Sequence, residues 1–128
     1  MGDKFKNELV TLCTLHIPNV KLIYLFGSQA SNQTFKNSDI DLAVLTANKI
    51  PLVERWELQQ KLAEELNKDV DLVDLLSAST VLKNEIIIKG LCLFDPQNYK
   101  LKFEMQVMSM YQHLNDERSE IMNKFKRV

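Results

Sequence analysis

Apolar residues recur along this chain with two different periods, and the alternation between them predicts helices and strands in turn. Phe5, Leu9 and Leu12 return at helical spacing, with Asp3 placed to cap the segment and Pro18 just beyond its end. "VKLIYLF", Val20 to Phe26, is an almost unbroken apolar run and predicts a strand. A second strand is expected from about Ile40 to Thr46, with a Gly27-Ser28 turn, a short helix from Ser28 to about Asn32 and a "TFKNS" loop before it. Pro51 suits the first turn of a helix running to about Asn67, with Trp56, Leu62, Ala63 and Leu66 available for its inward stripe.

"DVDLVDLL", Asp69 to Leu76, predicts a third strand. Ser77, Ser79 and Thr80 are candidate caps for a helix ending near Gly90, where a left-handed glycine is expected. A short fourth strand, "LCLF" (Leu91 to Phe94), stops at Asp95-Pro96. From Asn98 to Val128 the period is helical: Phe103, Val107, Met110, Leu114, Ile121 and Phe125 line one face, and Tyr99, Met105, Met108 and Tyr111 widen it. Packing on the sheet accounts for such a stripe. So does a partner surface, for which adaptable Met side chains are suited, and the two uses are compatible on different sides of one helix. Together the elements imply an α/β (α+β) fold, a small mixed sheet flanked by helices with a long C-terminal helix, in a single domain over residues 1–128.

Composition narrows the function classes. An apolar fraction of 45% and a charged fraction of 26% are ordinary for a globular chain with a real core. The 16 basic and 17 acidic residues leave a net charge of −1, so no general field holds a polyanion and strong direct nucleic-acid binding is not expected. Cys13 and Cys92 stand far apart in apolar surroundings, which reads as buried reduced thiols in a cytoplasmic protein. The longest apolar run is far short of the roughly 20 residues a membrane helix needs, and "MGDKFKNE" has no signal-peptide apolar segment.

Against that background two acidic residues stand out. Asp39 and Asp41 enter an apolar strand two residues apart, so both point to one side, about 6–7 Å apart, while Ile40 and Leu42 face the other. Carboxylates held together repel unless a cation or protons intervene. Magnesium fits such a pair, because it takes one or two carboxylates and fills its other positions with water and phosphate oxygens. The Gly27-Ser28 turn supplies a complement: glycine lets phosphate approach the main chain, and a helix starting at Ser28 aims free N–H groups at an anion. Phosphate on one side and metal on the other describes a nucleoside triphosphate site, and two metal ions would serve the attacking oxygen and the pyrophosphate leaving group. A third carboxylate is expected from the later strand. Asp71, mid-strand among Val and Leu, is the better candidate, Asp74 on the opposite face is the runner-up, and Asp69 begins the strand.

Other polar residues carry less. His16 and His113 have no partner at ligand spacing and read as surface or structural histidines, Lys36 as a solvated loop lysine, and "NKFKRV" as a solvated terminus. Neither a nucleophile elbow nor a Walker-type loop is present.

Gly27-Ser28, a ten-residue spacer, Asp39-Ile40-Asp41 and the later "VDLVDLL" resemble the DNA polymerase β-type nucleotidyltransferase superfamily. The short length, the "GLCLF" strand and the terminal helix are similar to its minimal nucleotidyltransferases. The resemblance implies magnesium, two ions, held by Asp39, Asp41 and Asp71, and a nucleotide bound at Gly27, Ser28, Gln29 and Asn32. It also implies ATP as substrate, with AMP passing to a tyrosine of a HEPN-type ribonuclease toxin for which such proteins act as antitoxins in a hetero-oligomer. Many minimal members read Gly-Ser-Arg-Ala-Arg-Gly at the turn, where this chain has "GSQASN", so Gln29 and Asn32 offer hydrogen bonds without charge. Two alternatives stand beside this: an antitoxin that neutralises by binding alone, and a small-molecule nucleotidyltransferase of the aminoglycoside-modifying kind.

Overall fold

The computed structural model describes residues 2–27 and 39–126, and over these the helices and strands alternate as the apolar periods require. In chain order they are α1 (Asp3–His16), β1 (Val20–Phe26), β2 (Ile40–Thr46), α2 (Leu52–Leu66), β3 (Val70–Asp74), α3 (Thr80–Lys89), β4 (Leu91–Phe94) and α4 (Lys100–Lys126). The strands form one mixed sheet in the order β3-β2-β1-β4. β1 pairs antiparallel with both β2 and β4, whereas β2 and β3 run parallel, joined by α2.

Both faces of the sheet are covered, which is why β1 and β2 read as continuous apolar runs instead of alternating. On one face Ile23, Leu25, Ile40, Leu42, Val44 and Leu72 pack with Leu9 and Cys13 of α1 and Leu62 of α2. On the other, Leu22, Tyr24, Ala43 and Leu45 meet Ile86 and Ile87 of α3 and Phe103 and Val107 of α4. Tyr24 brings a hydroxyl into this second layer, and it donates to Glu104 Oε2 at 2.6 Å, tying α4 to β1. His16 pairs with Glu65 at 3.0 Å across α1 and α2, and exposed His113 pairs with Glu117 one turn along α4, so both histidines are structural in kind.

Several expectations need correction. Asp3 is the first residue of α1 and Gly2 the cap, so Asp3 favours the helix through its charge in the first turn and not through a capping bond. Trp56 points outward, 57% exposed, because the inward stripe of α2 runs through Leu58, Leu62 and Leu66. The third strand ends at Asp74, where the N–H groups of Ser77 and Ala78 both turn back to the Asp74 carbonyl. Of the candidate caps, Ser79 caps α3, accepting from Leu82 N–H at 3.1 Å. Gly90 is extended, with φ −84, and is not left-handed. Its lack of a side chain serves close approach instead: a Cβ there would run into the Ile86 carbonyl oxygen and stand 3.2 Å from that of Leu25.

The terminal helix packs on the sheet only through its first turns, where Phe103 and Val107 are buried. Asp95 fastens its start, accepting from Tyr99 N–H at 2.7 Å and Lys100 N–H at 3.2 Å. Met110 and Ile121, expected on the same stripe, are about half exposed, as are Met105 and Met108; the Phe125 side chain lies outside the described residues. Length explains this, since a 27-residue helix extends about 40 Å and a seven-residue strand only about 23 Å.

Replacing Gly90 by Ala drives a methyl into the Ile86 carbonyl at the end of α3 and crowds that of Leu25, and is expected to destabilise the protein by about 1–3 kcal/mol in chemical denaturation. Trp56→Gln, on the exposed face of α2, should stay within about 0.5 kcal/mol of the parent in the same measurement.

Candidate active site

The parallel pairing of β2 and β3 brings the starts of both strands to one end of the sheet, where β1 finishes. Asp41 lies there between two neighbours, in register with Phe26 of β1 on one side and Asp71 of β3 on the other. Asp41 and Asp71 share the sheet face that carries Ala43 and Val73 toward α3 and α4, and Asp39 lies just before β2. The strand alternation expected for Asp39-Ile40-Asp41 is therefore realised, with Ile40 and Leu42 fully buried on the opposite face.

The electrostatics match the geometry. The Asp41 carboxyl is pushed above the usual carboxylate range, first by partial burial, then by the charge of Asp71 and then by that of Asp39. Gly27 adjoins this carboxylate with φ +74, and any Cβ there would collide with Asp41 Oδ2 and lie 3.1 Å from its Cγ. Glycine at this turn is required twice over, by the left-handed backbone and by the space that the carboxylate fills.

Asp74, the alternative third carboxylate, is committed elsewhere. It is buried, and its oxygens accept from the N–H of Ile50 at 2.9 Å, the N–H of Leu76 at 3.0 Å and the hydroxyl of Ser77 at 3.0 Å. Asp71 and Asp69 are exposed, and Asp71 alone of these faces Asp41 across the strand pair. An open groove beside β3 has Leu52, Arg55, Asp71, Val73, Asp74 and Leu82 in its walls. A smaller hollow at the far end of β2, beside Pro18, Thr46 and Lys49, contains no residue of the acidic row.

Among the described residues no three His, Cys, Asp or Glu side chains close around a point as a complete metal cage would. The acidic row is instead an open half-site of hard oxygen donors whose mutual repulsion a divalent cation relieves. That donor set fits magnesium, which binds through a few carboxylates and completes its shell with water and substrate phosphate. Ser28, Gln29, Asn32 and Lys36 lie outside the described residues. Sequence reasoning overlooked Arg55 and Gln59, which bond the main chain next to Asp71; their one signal is a pair of polar side chains one helical turn apart beside the apolar stripe of α2.

Comparison with known proteins agrees with this geometry. Residues 7–99 match the family model described as polymerase beta, nucleotidyltransferase. Protein adenylyltransferase MntA of Shewanella oneidensis is 47% identical over 118 residues, covering 92% of this chain and 85% of that protein. A crystal structure of a toxin-antitoxin with AMP-PNP contains a chain that superposes with a TM-score of 0.86 at 46% identity, covering 93% of this chain and 96% of that one. A complex of a tri-AMPylated HEPN toxin of Shewanella oneidensis with its MNT antitoxin matches with a TM-score of 0.82 and 44% identity over 97% of this chain and 98% of the other.

The raised Asp41 carboxyl has a consequence for stability. Folding favours its protonated form, so this residue's contribution is greatest at low pH and is lost as the pH rises through its folded-state value. Asp41→Asn is therefore expected to raise the melting temperature at neutral pH. The gain should shrink as the pH falls through the carboxylate range, which a series of thermal melts in metal-free buffer would display.

Proposed function

The chain belongs to the polymerase β nucleotidyltransferase family, and from that membership we propose that it moves AMP from ATP onto a tyrosine of a HEPN ribonuclease toxin and so serves as that toxin's antitoxin. The observation that carries this reading is the in-register pair Asp41 and Asp71, with Asp39 beside it, against a glycine that makes room for the Asp41 carboxylate. The adenylyltransferase relative and the AMPylated toxin held by its antitoxin support the choice of nucleotide and partner.

In this reading Asp39, Asp41 and Asp71 hold magnesium, two ions, which when bound supplies charge neutralisation for the triphosphate and for the departing pyrophosphate. Gly27 gives the phosphates access to the main chain, with Ser28, Gln29 and Asn32 as hydrogen-bonding partners for their oxygens. The tyrosine oxygen forms a bond to the α-phosphorus as the bond from that phosphorus to the bridging oxygen breaks, and pyrophosphate departs. The phenolic proton passes to a carboxylate oxygen of Asp71, which faces the open groove. No helix among the described residues is long and apolar enough to cross a membrane. The free thiols Cys13 and Cys92 suit a reducing compartment, so the cytoplasm is the proposed location.

Incubation of the protein with magnesium, ATP and its co-purified toxin is expected to add units of about 329 Da to the toxin in intact-mass spectra. Asp39→Asn and Asp41→Asn should each slow the addition at least about 10²-fold while leaving the complex intact, and neutralisation should be lost with it. Full neutralisation by these variants would instead mean inhibition by binding alone.

A further inference from the structure

We propose that Arg55 and Gln59 are positioning residues for Asp71: from one side of α2 they clamp both main-chain polar groups of Leu72 and so hold the third carboxylate in register with Asp41. The inference rests on the reading of Asp71 as a metal-holding residue.

β3 is an edge strand, paired only with β2. Its bonds to β2 run through odd-numbered residues: Ile40 N–H donates to the Asp69 carbonyl at 2.9 Å, and Leu75 N–H donates to the Val44 carbonyl at 3.0 Å. By strand alternation the N–H and carbonyl of Leu72 point away from the sheet, where an unprotected edge would exchange them with water or a stray strand. Here both are taken. Leu72 N–H donates to Gln59 Oε1 at 2.9 Å, and the Leu72 carbonyl accepts from Arg55 Nη1 at 2.9 Å. The pairing is matched in polarity, with the acceptor side chain opposite the donor and the donor opposite the acceptor.

The Leu72 side chain is fully buried among α1 and α2, so this residue is fixed from the core as well as from the edge. Asp71 is one peptide away. Among the described residues no side chain bonds its carboxylate, and its main chain is held through the neighbouring Leu72. A fixed main chain matters because an error of about 1 Å in a reacting group can cost on the order of 10²-fold in rate. It matters more here, where Asp71 lies on an edge strand in register with a second carboxylate, Asp41.

The test uses the full-length protein with Arg55→Ala, Gln59→Ala and Arg55→Lys, titrated with Mn2+ in the presence of a non-hydrolysable ATP analogue. Amide exchange is followed over residues 69–75, and Asp71→Asn is run alongside. The two alanine variants are expected to weaken Mn2+ binding about tenfold or more, with faster exchange of the Leu72 amide in Gln59→Ala. Arg55→Lys keeps an N–H donor for the Leu72 carbonyl and should recover part of the affinity. Wild-type Mn2+ affinity in Arg55→Ala and Gln59→Ala, with affinity lost in Asp71→Asn, would overturn the clamp and leave the role of Asp71 standing. Wild-type affinity in Asp71→Asn would remove that role and the clamp with it. Faster exchange without any change in Mn2+ affinity would reduce the pair to a cover for the strand edge and overturn the proposal. Should Arg55→Ala fail to fold, Gln59→Ala and Arg55→Lys still decide the question.

Discussion

Like charges crowded at the end of a buried sheet oppose the packing around them, and that opposition organises this molecule. Partial burial, and then the charges of Asp71 and Asp39, raise the Asp41 carboxyl, and no described side chain offsets them. The fold withstands this because the apolar layers on both sides of the sheet lock the strands: Ile40, Leu42 and Leu72 are fully buried directly behind the acidic row. A site that strains its scaffold in the free state gains most from a bound cation, and such strain is common where chemistry needs groups with displaced pKa values.

The arrangement explains features that otherwise look unrelated. Parallel pairing of β2 and β3 makes two strand starts coincide and sets Asp41 level with Asp71. Gly27 then serves the carboxylate as much as the turn, since the space a side chain would fill is occupied by Asp41. Gly90 serves another close contact, letting the chain after α3 pass the Leu25 carbonyl near the end of β1. Arg55 and Gln59 close the exposed edge of β3 at the residue that follows Asp71, so the edge is both protected and held in place.

Much of this could be read from the residues in order. Apolar period located the described strands to within a few residues, and the acidic pair in an apolar strand, following a Gly-Ser turn, led to the correct family. What escaped was tertiary. Trp56 is large and apolar, yet the helix face it occupies has no sheet opposite it, a fact that depends on where α2 lies and not on its own periodicity. Gly90 looked like a left-handed terminator because glycines after helices often are, but its backbone is extended, and the demand on it comes from the Ile86 carbonyl one turn back and then from that of Leu25, far away in sequence. The α4 stripe continues past the sheet that would have buried it, and nothing in the heptad-like spacing of Met110 and Ile121 marks where the sheet stops.

Asp71 and Asp74 show why residue type alone could not separate chemistry from architecture. Both are aspartates on one short strand, three residues apart, and either could have supplied a third carboxylate. Strand alternation sends them to opposite faces. On one face Asp74 meets two main-chain N–H groups and a serine hydroxyl, so its oxygens are spent in holding Ile50 and the turn after β3. On the other, Asp71 lies in register with Asp41, another carboxyl and not a backbone donor, and its side chain is exposed. A carboxylate whose neighbours satisfy it belongs to the scaffold. One whose neighbours oppose it is left for a cation to satisfy, and in this sheet such groups gather at the end where β1 finishes and β2 and β3 begin.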